Sequence, residues 1–393
     1  MTDGRRFVLP PGHPVERWGR TALLAGIAGV VLSAIGAFAS PTQFLRSYLV
    51  AWVYWTGLTL GCLALLMIKY IAGGAWGAVI RRPAEAAARA LPLMGVLFVP
   101  VLLGLPRLYE WARPEDVARD ALLQHKAAYL NVPFFAGRAL FYFVVWTLFA
   151  RALERWSLRE DETTDPYVTH RLDLIARGGL VALGLTMTFA AFDWTMSLQP
   201  HWFSTIYGVI FMGGSVLSGF AFLIAITAAL VERGPFGGVV TSGHLHDMGK
   251  LLLAFVMLWA YFAYSQFIIT WAGNLPEEIT WYLRRVRGGW QWVILAIVVF
   301  HFALPFFVLL SRDAKRRAGS LAGVALALVF MRIVDTWWIV TPAFDVEHPV
   351  PHWLDLATLL GVGGLWLAFF FRQLAGRPLL PLADPSLPIE VEA

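Results

Sequence analysis

The stretch Gly289-Trp290-Gln291-Trp292-Val293-Ile294-Leu295-Ala296-Ile297-Val298-Val299-Phe300-His301-Phe302-Ala303-Leu304-Pro305-Phe306-Phe307-Val308-Leu309-Leu310 decides the fold class. It runs 22 residues without a formal charge, and a helix needs about 20 mostly apolar residues to cross the hydrocarbon core of a bilayer. The only titratable group within it, His301, falls near the centre. The reading is a membrane-spanning helix with one imidazole at mid-depth.

Working outward, apolar runs bounded by charge, Pro or Gly recur nine more times. The ten predicted spans are Thr21 to Ala39, Ser47 to Ile71, Ala86 to Leu105, Phe134 to Leu153, Leu172 to Leu198, Ser204 to Val231, Lys250 to Gly273, Gly289 to Leu310, Leu321 to Val340 and Trp353 to Phe371. The composition agrees: 58% of the 393 residues are hydrophobic and 15% charged, which excludes a soluble enzyme or a disordered scaffold. The predicted fold class is therefore all-α, a polytopic membrane protein of about ten transmembrane helices. Residues 1–20 form an N-terminal segment, 21–373 the transmembrane domain and 374–393 a C-terminal tail. The first run ends in Ala37-Phe38-Ala39 like a cleavable signal, but it exceeds the usual apolar region of about 7–15 residues and is read as a span.

The net charge of +5 does not point to nucleic acid, because the basic residues sit between the apolar runs. Alternate loops and ends hold 21 Lys and Arg on one side and 9 on the other, with Arg332 inside span nine. That bias places both termini in the cytoplasm and the turns around Pro200 and Pro349 outside. Of the 18 Trp, those near predicted ends (Trp18, Trp111, Trp156, Trp202, Trp271, Trp281, Trp290, Trp353) read as an interfacial belt. The longest loop, Pro106 to Pro133, has room only for a short surface helix. Cys62 is the single cysteine, so this chain alone supplies no disulfide and no all-Cys cluster.

Charges at membrane depth cost about 2.5–3.5 kcal/mol each on insertion scales, so those present normally carry a function or a paired structural role. Arg332 and Asp335 are three residues apart on one helical face. They read either as a self-neutralising packing pair or as part of a proton relay. His301 reads either as a hydrogen-bonded core residue or as a proton carrier. Asp193 lies about a turn too deep to cap the hairpin that follows, whereas Ser204 or Thr205 is placed to cap span six. Asp247 and Lys250 read as a first-turn pair or a proton entrance. His244 and His246 lack a third ligand, so no metal site is predicted. Gln266, in the outer half of span seven, needs a partner within the bundle. The centres of spans seven and eight are expected to be unbroken, apart from Pro305. His13, His125, His170, His201, His244, His246, His348 and His352 all lie in loops or at span ends, so His301 has no mate for a bis-His haem. No redox centre is predicted for this chain.

Long motifs carry a family resemblance. They are Phe192 through Gly208; His244 through Lys250, continuing into Trp259-Ala260-Tyr261 and Tyr264-Ser265-Gln266; and Asn274-Leu275-Pro276-Glu277-Glu278 with Trp281-Tyr282. Gly73-Gly74-Ala75-Trp76, Arg81-Arg82 with Glu85, Tyr129 through Phe134, and Arg138 add to them. Together they resemble ActF, the second polytopic, NrfD-like membrane subunit of bacterial alternative complex III. The resemblance implies a quinol:cytochrome c oxidoreductase of the bacterial cytoplasmic membrane. The partners it implies are an NrfD-like quinol subunit, an iron–sulfur subunit and a multihaem cytochrome c subunit, which hold the haem c and iron–sulfur centres. It also implies two four-helix bundles, spans 2–5 and 6–9, flanked by spans 1 and 10. Quinol or menaquinol from the quinone pool is the expected substrate. Asp193, Asp247, Lys250, His301, Arg332 and Asp335 are the candidate proton path, and His201, Tyr264 and Gln266 the candidate polar or quinone-facing groups. A stand-alone secondary transporter, or a purely structural anchor, is the competing reading.

Overall fold

The computed structural model describes residues 7–9, 12–163, 165–234, 236, 238–344, 348–375, 377–381, 384 and 387. Among the described residues, ten helices are long and apolar enough to cross a membrane. We number them α1 (Pro14–Ala39), α2 (Pro41–Ala72), α3 (Ala75–Leu103), α4 (Val132–Glu160), α5 (Pro166–Trp194), α6 (Tyr207–Arg233), α7 (Ser242–Gly273), α8 (Trp290–Leu310), α9 (Ala318–Val340) and α10 (Trp353–Leu374). The chain is an all-helical, multi-pass membrane protein. Ten crossings return the chain to the face on which it starts, and the backbone N–H of Leu379 donates to the Phe7 carbonyl at 3.0 Å.

Several helix starts are legible locally. Pro14, Pro41 and Pro166 open their helices, where a missing N–H costs nothing and φ is preset. The Asn131 and Asp165 side chains accept from Phe134 N and Tyr167 N, both at 2.9 Å. Asn274, the one non-glycine residue with positive φ among those described, ends α7 in the left-handed region at φ 44.

Two bundles form, α2–α5 and α6–α9, and they meet where α2 packs on α6. All of the apolar window of α2 is buried, against α3, α5, α6, α9 and α10. Close approach of α2 and α6 needs glycine, since a Cβ on Gly61 would stand 1.9 Å from the Ser215 carbonyl oxygen. Flanking helices α1 and α10 pack on each other, and a Cβ on Gly29 would meet Gly361 N at 2.3 Å.

The structure corrects or refines the sequence reading in five places. Span three starts at Ala75, 11 residues earlier than Ala86, and runs in pieces Ala75–Ala88, Leu91–Val96 and Val99–Leu103. The first two pieces end four residues before Pro92 and Pro100, which have no N–H for the carbonyls of Ala88 and Val96. Span eight is continuous through its centre, as expected, but its winding changes there, since Ile297–Ala303 is a π-helix around His301. Pro305 has no N–H for the His301 carbonyl four residues back and its ring crowds that oxygen; a wider turn relieves both. The loop expected to hold one short helix folds as Leu105–Leu108, Glu110–Ala112, Pro114–Arg119 and Ala121–Lys126, closing the end of the first bundle. Neither Ser204 nor Thr205 caps span six, whose N-cap is Ile206 with no side-chain bond. Finally, Trp111, Trp202, Trp281 and Trp290 are buried rather than lipid-facing, while Trp271 and Trp353 stay exposed as expected of a belt.

Candidate functional site

The sequence-predicted polar residues fall into separate places rather than one chain. In the second bundle, Arg332 and Asp335 on α9 form an ion pair and are 6% and 4% exposed. Their separation of three residues puts both on the buried face of α9. His301, fully buried, projects from the π-wound segment of α8 and lies within electrostatic reach of Arg332. Its ring meets Trp259 of α7 edge-on, with centroids 4.2 Å apart. Among the described residues neither His301 nitrogen has a hydrogen-bond partner, and Arg332 Nε lacks one too. The Trp259 indole N–H is turned toward the Asp335 carboxylate without the geometry of a formed hydrogen bond. Gly214 on α6 makes room for the guanidinium, since a Cβ there would stand 2.4 Å from it.

A cavity adjoins this centre at the seam between the bundles. Tyr54 and Gly57 of α2, Tyr207 and Ser215 of α6, Thr195, and Arg332 and Thr336 of α9 line it. About 20 Å³ is open to the centre of a water-sized molecule, which is room for an ordered water. Much of the rest of the lining is apolar, from Val53, Ile210, Phe211, Ile339 and Val340, and Tyr207 lies near both Asp335 and Arg285. Toward the chain-end face, the buried side chains below the ion pair include Leu252 and Val256 on α7, Ala325 and Leu328 on α9, and Phe220 on α6. The centre therefore opens toward one side and rests on an apolar floor on the other.

Asp193 sits in the first bundle. Arg138 of α4 grips it with two parallel bonds, Nε to Oδ2 at 2.9 Å and Nη2 to Oδ1 at 2.8 Å, and Tyr142 donates to Oδ2 at 2.9 Å. The fork matches the carboxylate geometry and leaves little lone-pair capacity free. Arg138 also lies 3.8 Å from the Tyr129 ring centroid. Asp247 and Lys250 pair at 3.1 Å, more than half exposed, about 18 Å along α7 from Trp259 at 1.5 Å per residue. His201 reaches Asp120 at 2.6 Å on the surface. Gln266 finds its partners in Ser204, which donates to it at 2.5 Å, and in Thr270 at 3.3 Å. Tyr264 is 63% exposed, outside the bundle. His244 is engaged in capping α7 with Thr241.

Sequence reasoning missed two buried charged groups because it placed them in loops. Arg285 ends the helix Pro276–Arg285 and is 1% exposed. Its guanidinium donates to Gln199 Oε1 at 3.1 Å, Trp281 O at 2.9 Å and Ile339 O at 2.6 Å, and stacks 3.7 Å above the Trp281 ring. Burial lowers its pKa to about 9, still above neutral, so it remains a cation. The four-residue spacing of Trp281 and Arg285 was the available signal. At the chain-end face, Arg81 and Arg82 share Glu85 and Ser157, Arg81 pairs with Glu160 at 2.6 Å, and Lys69 pairs with Asp384 of the tail at 2.5 Å. Starting span three at Ala86 hid this network, since Arg81, Arg82 and Glu85 lie inside α3.

No family model matches the chain. It is 24% identical over 154 residues to the selenate reductase subunit designated C of Mesobacillus selenatarsenatis, a match covering 38% of this chain and 34% of that protein. The matched stretch thus spans about a third of the relative's length.

Proposed function

We propose that the chain is a membrane subunit of a multi-subunit respiratory oxidoreductase, of the quinol:cytochrome c type represented by alternative complex III. In this reading it has no redox centre of its own. It lies in the bacterial cytoplasmic membrane with both termini cytoplasmic, and its partners are an NrfD-like quinol subunit, an iron–sulfur subunit and a multihaem cytochrome c subunit. It supplies a quinone-facing scaffold and a proton-handling pocket. Its likeness to a reductase subunit supports the assembly, and the motifs from Phe192 to Tyr282 support the type.

The observation that carries the proton-handling role is the Arg332–Asp335 pair beside His301, whose nitrogens have no hydrogen-bond partner among the described residues, with a cavity large enough for an ordered water on one side and an apolar floor on the other. A packing pair needs no unsatisfied imidazole beside it, because a buried polar group without a partner costs free energy that Leu would avoid. Asp335 and His301 are the groups that change protonation in this pocket, while Arg332 keeps its charge and holds the carboxylate in place. Asp193, held by Arg138 and Tyr142, acts as a fixed brace.

The test is gentle-detergent purification with subunit identification and a haem spectrum, followed by Asp335→Asn and His301→Leu in the same membranes. Copurification with haem- and iron–sulfur-bearing chains is expected. Each variant is expected to assemble normally and to lower quinol turnover or coupled proton release at least tenfold. Purification as a lone, uncomplexed chain would favour the transporter reading, and normal turnover with normal proton release in both variants would remove the proton-handling role.

A further inference from the structure

Between α8 and α9 the chain turns through a five-residue helix, Arg312–Arg316, at the face that carries the chain ends. Positions 312, 315 and 316 share one side of it by their three- and four-residue spacing. That side meets the start of α7: the Lys315 stem lies across Gly249, where a Cβ would stand 2.6 Å from Lys315 Cγ, and Arg316 Nη2 donates to Ser242 Oγ at 3.4 Å.

Lys315 is only 8% exposed. Among the described residues, no carboxylate lies within ion-pair distance of its ammonium and no acceptor bonds it. Lys250, Lys315 and Arg312 all act electrostatically on His246, so their charges gather in one place. Three carboxylates are near. Asp247 is taken by Lys250 at 3.1 Å, Asp313 is exposed on the same turn outside the shared side, and Glu232 lies beside Gly319. The Lys315 stem is covered by Gly249 while its ammonium, with the guanidinium groups of Arg312 and Arg316, makes a positive patch that no carboxylate among the described residues pairs with. An anion from outside the chain would complement it. On α8, which ends just before this turn, Leu304, Phe307 and Leu310 are exposed apolar residues at three-residue intervals. A phosphate joined to acyl chains fits both halves of this surface.

We propose that Arg312, Lys315 and Arg316, with the start of α7, bind a phosphate group carried by an anionic phospholipid whose chains lie along α8. Basic pockets at helix ends take such headgroups through charge-assisted bonds. This site is separate from the polar centre at Arg332 and does not depend on the function proposed above.

The test is native mass spectrometry of the full chain, delipidated and re-exposed to phosphatidylglycerol, to phosphatidylcholine of the same acyl length, or to inorganic phosphate. Phosphatidylglycerol is expected to be retained at least tenfold over phosphatidylcholine. Lys315→Met, which keeps the stem over Gly249, and Arg312→Gln, at an exposed position, are each expected to weaken retention about fivefold. Arg155→Gln, an exposed charge on the same face, is expected to change nothing. Equal retention by wild type, Lys315→Met and Arg312→Gln would overturn the site, as would an equal loss in Arg155→Gln. Inorganic phosphate binding as tightly as the lipid would overturn the lipid assignment in favour of the free ion.

Discussion

Asp193 and Asp335 are both carboxylates buried beside an arginine, yet their surroundings give them different work. Asp193 receives both arms of Arg138 and the Tyr142 hydroxyl, so three of its roughly four acceptor positions are used. Asp335 receives Arg332 and lies near a cavity that has room for water. Removing one partner of a buried pair leaves the other uncompensated at a cost of about 3–5 kcal/mol, whereas removing both is much milder. Asp193→Leu is therefore expected to lower stability by about that amount. Tyr142→Phe is expected to cost about 1–2 kcal/mol, and the Arg138→Leu/Asp193→Leu double variant to recover most of the loss. Thermal unfolding in detergent reads all three. An Asp193→Leu variant no less stable than Tyr142→Phe would show that the pair is not the brace of the first bundle.

At the scale of elements, proline and glycine positions explain more of the architecture than apolar periodicity does. Pro92, Pro100 and Pro305 each stand four residues after a carbonyl that their rings leave unserved, and the helix changes its winding there. In α8 the changed turn is the one that bears His301, so a backbone requirement and a side-chain placement coincide. Glycine acts between helices instead. Only 22% of the apolar window of α1 is buried, and its hold on α10 rests on close backbone contact at Gly26 and Gly29 against Gly361 and Gly364, the small-residue packing that membrane helices use without a hydrophobic drive between them. Gly29→Leu is expected to free α1 from α10 while the two bundles stay folded. Limited proteolysis between α1 and α2 would then become at least tenfold faster with unchanged cleavage elsewhere; an unchanged rate would mean that α1 is held by other contacts.

Over the whole molecule, on the face away from the chain ends, the loop between α3 and α4 is clasped to the end of α5 and to the turn that leads into the second bundle. Tyr109 donates to the Trp194 carbonyl at 2.8 Å, Lys126 to the Pro200 carbonyl at 2.5 Å, and His201 meets Asp120 at 2.6 Å. Asp120 also accepts from Leu122 N and Leu123 N. Desolvation alone would raise its pKa, but the Leu123 and Leu122 amides and His201 outweigh that and hold it below the usual carboxylate range. A depressed carboxylate contributes stability that is present above its unfolded pKa, near 4, and lost as pH falls through the lower folded value. The clasp is therefore expected to be closed at neutral pH and to open only below about pH 4. Hydrogen exchange at Leu122 and Leu123 should accelerate in that acid window, and Asp120→Ala should show the fast rate already at pH 7. Slow exchange in Asp120→Ala would show that the clasp is not what orders this loop.

The ten spans and the all-helical class were readable from sequence alone, because bilayer thickness sets a run length that apolar composition either meets or does not. The spacing of Arg332 and Asp335 likewise placed them on one face, since helical periodicity is local. Tertiary structure alone decided what each buried charge meets. Arg138 and Asp193 are 55 residues apart and Lys69 and Asp384 are 315 apart, and no local pattern encodes such a partner. Arg285, Arg81, Arg82 and Glu85 looked like solvated loop charges because a hydropathy reading ends a span at its first charges. Folding buried them, since each meets an acceptor or an opposite charge that only packing brings near. The one-sided cavity beside Arg332 has the same origin: it lies at the seam of α2, α6 and α9, and its lining exists only once those helices have come together.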